Sequence, residues 1–400
     1  RRAGQTLSSR RLRAEPDTSQ RSLAFCSAWH ACAPLHLAAS SRRQRGERPC
    51  VLLCLNTTEH DAVNGETVAM RMAIAALATA ARAAAPIKAP PASPLQPFTV
   101  RGRSILVKRD DRYALPGPLS GVAGNKARKL YGLYKRGFGE AEAVASLGGH
   151  QSNAFPCIAA LCRAFDLPFY FVCKPVPRWL RQNPAGNYAR ALALGAELVP
   201  LKPDDYRRCV ADETWRADLL KDVAGVSEVA WVPQGAASKD AEPGVAMLAA
   251  ELVEDLKEYP NARVVVPAGT GTTALFLARH LRDADVEVCA APCATSASEL
   301  KRQMTVLDDA SGAIGAFPTI LQAPPYRFGA PDERVLATWR ELAASGLHVD
   351  LVYAPAAFET LLQTVDDRPQ CYIHCGGNAG VATQLNRYRH AGLLGVKEIE

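Results

Sequence analysis

From Ser104 onward, short apolar or β-branched runs alternate with helix-patterned stretches, and that alternation constrains the fold more than any other feature. Candidate strands lie at 104–108, 143–147, 168–173, 197–200, 229–233, 263–266, 286–290, 349–353 and 371–374. Helical spacing of apolar residues recurs between them, at 126–136, 152–164, 185–194, 212–223, 243–257, 272–282, 296–307, 331–345, 355–365 and 379–389. Parallel strands need a crossover connection, and a helix is the usual one. The pattern therefore predicts an α/β chain of open parallel sheets with helices on both faces. Nine candidate strands are many for one sheet, so two α/β domains with a site between them are expected. The smaller domain is placed at 130–234 and the larger at 96–129 with 235–400.

Residues 1–95 read differently. They carry twelve Arg and one Lys against six acids, so the whole formal charge of +7 sits there, and residues 96–400 balance. With no basic excess in the body to neutralise phosphates, nucleic-acid binding is disfavoured. The segment is rich in Arg, Ser and Ala and ends in Ala-Pro runs, a composition shared with organelle transit peptides. Met70 is the first methionine, so synthesis is expected to start there, with 70–90 a presequence and 1–69 an upstream tail. An extension that carries no address is the alternative. The protein is expected inside the cell, in a mitochondrion or plastid if the extension is an address, otherwise in the cytoplasm.

The longest apolar runs are too short or too interrupted to span a membrane. Twelve cysteines include no Cys-x-x-Cys, and no histidine spacing completes a metal site. Most are expected as buried reduced thiols.

Three motifs carry chemistry. Gly124-Asn125-Lys126-Ala127-Arg128-Lys129-Leu130 puts two lysines three residues apart on one side of a helix's first turns. Lys126 could be an amine depressed by burial and by neighbouring Arg128, although Lys-x-Arg-Lys alone reads as easily as a solvated basic face. Ser146-Leu147-Gly148-Gly149-His150-Gln151-Ser152-Asn153 ends a strand in a glycine turn followed by amide and hydroxyl groups, where Ser152 or Asn153 can cap the next helix. Val266-Pro267-Ala268-Gly269-Thr270-Gly271-Thr272-Thr273 runs from a strand through glycines into a helix. Free N–H groups at that helix start and the threonine hydroxyls suit a phosphate. The loop lacks the Gly-Lys-Ser/Thr of a P-loop and the third glycine of a dinucleotide fingerprint. An amine for an aldehyde, polar groups for a ring and a phosphate cradle together meet the needs of a carbonyl cofactor such as pyridoxal 5'-phosphate. Each motif alone could be no more than turn chemistry. A nucleotide-binding α/β protein that uses only the 268–273 loop is the rival from another class.

With Lys108-Arg109-Asp110-Asp111 ahead of them, these motifs resemble the 1-aminocyclopropane-1-carboxylate deaminase and D-cysteine desulfhydrase family, pyridoxal-phosphate enzymes of the tryptophan-synthase β-subunit fold. The resemblance covers about 96–400. It implies that Lys126 is the Schiff-base lysine and the base for the α-proton, and that Asn153 binds the cofactor's phenolate oxygen. Gln151 and Ser152 would face the substrate carboxylate or act beside the cofactor, and Gly269, Thr270, Gly271 and Thr272 would hold the phosphate. Tyr353 falls where the family has an active-site tyrosine, and Cys375 near where desulfhydrases place a threonine at the pyridine nitrogen.

The chain departs from the deaminases in three places. Ala354 stands where they have a glutamate, Phe328 where they have a second tyrosine, and an insertion separates Asp111 from Gly124. A neutral partner such as Cys375 makes a poorer electron sink than a protonated one, yet suffices when a thiolate leaves. These departures point to α,β-elimination in the manner of D-cysteine desulfhydrase, with ring-opening deamination as the alternative. A small amino-acid substrate and a homodimer are the expected partners, with no nucleic acid, membrane or metal.

Overall fold

The computed structural model describes residues 89–364 and 366–395. The expectations for the presequence and the upstream tail lie outside the described residues.

The chain enters through an antiparallel hairpin, β1 (Leu95–Val100) and β2 (Arg103–Lys108), turned by Arg101 and Gly102 at φ 49° and 72°. Two successive positive φ values are what a two-residue hairpin loop needs. The body starts ahead of the expected boundary at 96. Ser93 is buried, and its hydroxyl bonds Asp110 Oδ1 at 3.1 Å and Glu251 Oε2 at 3.3 Å.

Helix α1 (Asn125–Arg136) follows a loop pinned by a bridge between Ala114 and Ala123. Next come β3 (Ala143–Leu147), α2 (Ala154–Ala164), β4 (Phe169–Cys173), α3 (Arg178–Gln182), α4 (Gly186–Ala193) and β5 (Ala196–Pro200). Then α5 (Pro203–Ala211), α6 (Glu213–Ala224) and β6 (Val229–Val232) complete a four-stranded parallel sheet in the order β5-β4-β3-β6.

The rest of the chain builds the other sheet. It contains α7 (Glu242–Asp255), β7 (Ala262–Ala268), α8 (Thr272–His280), β8 (Val286–Pro292), α9 (Ala297–Asp309) and β9 (Thr319–Ile320). It ends in α10 (Glu333–Ala344), α11 (Ala354–Gln363), β10 (Gln370–Ile373) and α12 (Val381–His390). The order of this six-stranded sheet is β1-β2-β10-β7-β8-β9, parallel except for the β1–β2 hairpin.

Each sheet reverses its winding once. In the smaller sheet β4 and β5 lie to one side of β3 and β6 to the other. In the larger, β8 and β9 lie to one side of β7, and β10 to the other. Loops leaving the carboxyl ends of strands at such a reversal splay apart and open a crevice for a ligand. The Gly148–Asn153 loop leaves β3, and the Gly269–Thr272 loop leaves β7. Both motifs therefore fall at reversals.

Helix α1 ties the two sheets together. Ala127, Leu130, Tyr131 and Leu133 pack into the core of the smaller sheet with Phe155, Ile158 and Phe169. On its other flank α7 comes so close that a Cβ on Gly244 would lie 2.0 Å from the Arg128 carbonyl oxygen.

Residues 349–353 are not a strand. The buried Asp350 carboxylate accepts from the N–H groups of Val352, Tyr353 and Ala354 at 2.8, 2.6 and 3.3 Å and so starts α11. The apolar run mimics a strand, but an aspartate followed by Pro355 in a helix's first turn is a start signal. Four short elements were also not expected: β1, β9, α3 and α5. Pro97 within β1 and Pro94 just before it mask the strand, and an edge is where a strand tolerates proline.

Candidate active site

Helix α1 begins against the end of β10. Gly124 is at φ 69°, and a Cβ there would lie 2.3 Å from the Cys375 carbonyl oxygen, so only glycine serves. The Asn125 N–H donates to that same oxygen at 3.0 Å. The solvated basic face is ruled out, because Lys129 and Arg128 are buried. Lys126 is half-buried, its Nζ donating to Asn125 Oδ1 at 2.9 Å, and Lys129 Nζ donates to Thr270 Oγ1 at 3.3 Å.

Burial pulls both amines below the ordinary lysine value. Lys129 falls well below it, the charge of Lys126 adding to the effect of burial. Around Lys126 the groups of Cys375, Cys157 and Asp350 act in the opposite sense.

Arg128 does not depress the Lys126 amine as expected. Two residues on, it lies on the far side of the helix. Its guanidinium donates to Asp110 Oδ1 at 2.8 Å and Glu251 Oε1 at 2.8 Å, and sits 3.4 Å above the Tyr113 ring. Lys108 completes the network, its Nζ 2.8 Å from Glu251 and 2.6 Å from Asp255. These bonds fix how α1 is rotated, and so which way its lysines face.

In the loop after β3, Ser152 Oγ accepts from the Ala154 N–H at 3.3 Å, so Ser152 rather than Asn153 serves the start of α2. The Gln151 amide spans to α4: Nε2 donates to the Ala185 carbonyl and Oε1 accepts from the Asn187 N–H, both at 3.0 Å. Any bond from Gln151 to a substrate carboxylate must share this amide. Asn153 Oδ1 accepts from Asn187 Nδ2 at 2.7 Å, and its own Nδ2 lies beside Gly377.

In the loop after β7, the Thr270 and Thr272 hydroxyls are 2.9 Å apart. A Cβ on Gly269 would stand 3.2 Å from the Tyr353 ring, which therefore lies directly over the loop. Phe328 packs edge-on to Tyr353, with ring centroids 5.3 Å apart. Burial pushes the Cys375 thiol up to about 12, so it is neutral at physiological pH. His374 anchors that loop, with Nε2 2.9 Å from the His348 carbonyl and Nδ1 accepting from the Gly376 N–H at 3.2 Å.

The contacts close a ring: Lys126 beside Cys375, Lys129 on Thr270, Gly269 under Tyr353, Asn153 beside Gly377. Among the described residues neither Lys126 nor Lys129 has an ion-pair partner, whereas neighbouring Lys108 and Arg128 do. A buried lysine with no counter-charge, beside two hydroxyls and a helix start, suits an anion that would restore its proton. A depressed amine next to it favours an aldehyde carbon. The residues thus fit pyridoxal phosphate.

Residues 91–376 match the family model described as pyridoxal-phosphate dependent enzyme. The chain belongs to that family. A Thermotoga maritima protein named as a candidate 1-aminocyclopropane-1-carboxylate deaminase is 26% identical over 304 residues, 72% of this chain and 92% of its own. Among solved structures, an ACC deaminase homologue aligns at TM-score 0.60 and 22% identity, over 76% of this chain and 94% of its own. O-ureido-L-serine synthase aligns at 0.53 and 17%, over 77% and 94%. At these identities the solved structures speak to the fold, which is the two-sheet α/β architecture expected of this pyridoxal-phosphate enzyme. The nucleotide-binding alternative does not survive the family match.

Three residues of the site had no role in the sequence reading. Lys129 was legible as the partner of Lys126 at helical spacing, and Asp350 as an aspartate ahead of Pro355. Asn187 follows Gly186 at a helix start, and nothing local reveals what it reaches. Eight described cysteines are free thiols. Among the described residues no helix is long and apolar enough to cross a membrane.

Proposed function

We propose that this enzyme catalyses α,β-elimination on a small amino acid, giving a keto acid, ammonia and, from a cysteine-type substrate, sulfide. Lys126 Nζ would hold the cofactor's aldehyde carbon and Asn153 its phenolate oxygen. Gly269, Thr270, Gly271, Thr272 and Lys129 would take the phosphate, and Cys375 the ring nitrogen. Pyridoxal phosphate, when bound, supplies the electron sink that lets an α-proton be lost.

The remaining chemistry is proton handling by the protein. Burial leaves more of the Lys126 amine uncharged than on a surface lysine, which suits it to take the proton from the substrate Cα. Tyr353 keeps its hydroxyl proton, since burial pushes that group well up, so it can donate to a leaving group but is a poor base. Ser152 and Gln151 lie on the loop that would meet the substrate carboxylate.

Cys375 carries the choice of reaction. A neutral thiol there, with Ala354 in place of an acid, supports the departure of a good leaving group over the opening of a carbon ring. The name of the Thermotoga relative favours the second reading, ring-opening deamination. Purified enzyme given D-cysteine, L-cysteine and 1-aminocyclopropane-1-carboxylate separates them. Sulfide from one cysteine enantiomer is expected, and 2-oxobutyrate from the cyclopropane amino acid with no sulfide from either would overturn the proposal.

A further inference from the structure

Asn187 lies in the first turn of α4 and is buried, 1% exposed. Three of its hydrogen bonds go to the loop after β3. The backbone N–H donates to Gln151 Oε1 at 3.0 Å, and Nδ2 donates to the Gln151 carbonyl at 3.1 Å and to Asn153 Oδ1 at 2.7 Å.

One of these bonds removes an ambiguity. A side-chain amide can be turned end for end, and only its partners say which end is the donor. The Gln151 carbonyl can only accept, so the atom of Asn187 facing it must be Nδ2. Both Nδ2 hydrogens are then committed, and the Asn153 atom that takes the second must be its oxygen. The Asn153 nitrogen is thereby turned the other way, to the Gly377 side. A Cβ on Gly377 would lie 2.7 Å from it and 3.5 Å from Asp350 Cβ.

We propose that Asn187 is a positioning residue that sets the polarity of the Asn153 amide, so that a donor and not an acceptor is presented to the anionic phenolate oxygen of pyridoxal phosphate. The inference rests on the reading of Asn153 given above and deepens it. Without Asn187, the Asn153 amide is free to present its oxygen, and an oxygen facing an anion repels it.

A double-mutant cycle tests this, read by the equilibrium affinity of the apo-protein for pyridoxal phosphate and by the pH midpoint of the bound cofactor's visible absorbance. Asn153→Ala and Asn187→Ala are each expected to weaken binding by about tenfold or more and to move the midpoint in the same direction. Adding Asn187→Ala to Asn153→Ala should then weaken binding less than about twofold and move the midpoint no further. Full additivity, or an affinity loss in Asn187→Ala with an unmoved midpoint, would mean a merely structural role and overturns the proposal. An Asn153→Ala enzyme that binds as tightly as the parent overturns the reading of Asn153 itself, and this inference with it. Should Asn187→Ala not fold, Asn187→Asp runs the same cycle: it is isosteric and cannot donate to Asn153.

Discussion

Lys126 and Lys129 are three residues apart but bond different partners, Asn125 and Thr270, and on the proposed reading their variants should separate accordingly. Lys126→Ala is expected to leave no cofactor that borohydride can fix to the protein. Lys129→Ala should keep the covalent attachment, at an affinity lower by about tenfold or more, because a charge-assisted bond to phosphate is lost. Colour that survives in Lys126→Ala and disappears in Lys129→Ala would reverse the assignment. The apo-protein gives an independent reading. Lys129 has a depressed folded value set against an ordinary 10.5, with burial the main cause. Between those two values the unfolded chain holds a proton that the folded chain lacks, so stability rises with pH through that window and is lowest beneath it. Lys129→Met should therefore stabilise the apo-protein near neutral pH, by about 1 kcal/mol or more, and flatten its stability between neutrality and pH 10.5. Urea unfolding at two pH values checks both the sign and the slope.

At the scale of elements, the same helix carries the opposite case. Arg128 is as buried as Lys129 but fully paired, and it closes a network through Asp110, Glu251 and Lys108 that joins α1 to β2 and α7. Arg128→Met strands a carboxylate in the interior and should cost about 3–5 kcal/mol. Equilibrium unfolding that moves by less than about 1 kcal/mol would mean the network is dispensable. One turn of helix thus holds a lysine whose removal stabilises and an arginine whose removal destabilises. The sequence made the two look alike, because a one-dimensional pattern records charge and spacing but not which partner waits across the fold. Elements were readable where local chemistry decides them: glycine turns at 148–149 and 269–271, and apolar runs at 143–147 and 263–266. They were misread where a tertiary contact decides. At 349–353 a buried aspartate gathers three N–H groups inside an apolar run. At 95–100 Pro97 hides a strand that exists because β2 is there to pair with it.

For the molecule as a whole, the site depends on sheet order, which no residue pattern reveals. One reversal of winding lies after β3 and one after β7, and α1 bridges the two sheets with Lys129 turned to the second. On the proposed reading each sheet would supply part of the same ligand's contacts: Asn153 from one, Gly269 to Thr272 and Cys375 from the other. A ligand held by both must couple them. Pyridoxal phosphate at a hundredfold excess over its dissociation constant should raise the unfolding free energy by about 2.7 kcal/mol if it binds the folded chain alone. That gain should appear as one cooperative transition, moved upward without change in its denaturant slope. Amide exchange should slow together at 148–153 and at 269–272, because neither loop can open while the other grips the ligand. Lys126→Ala, which keeps the phosphate cradle, should retain part of the gain, since anion contacts remain. If protection rises at 269–272 alone and the 148–153 loop exchanges as in the apo-protein, the ligand sits on one sheet only. Asn153 and the loop after β3 then have no part in holding it.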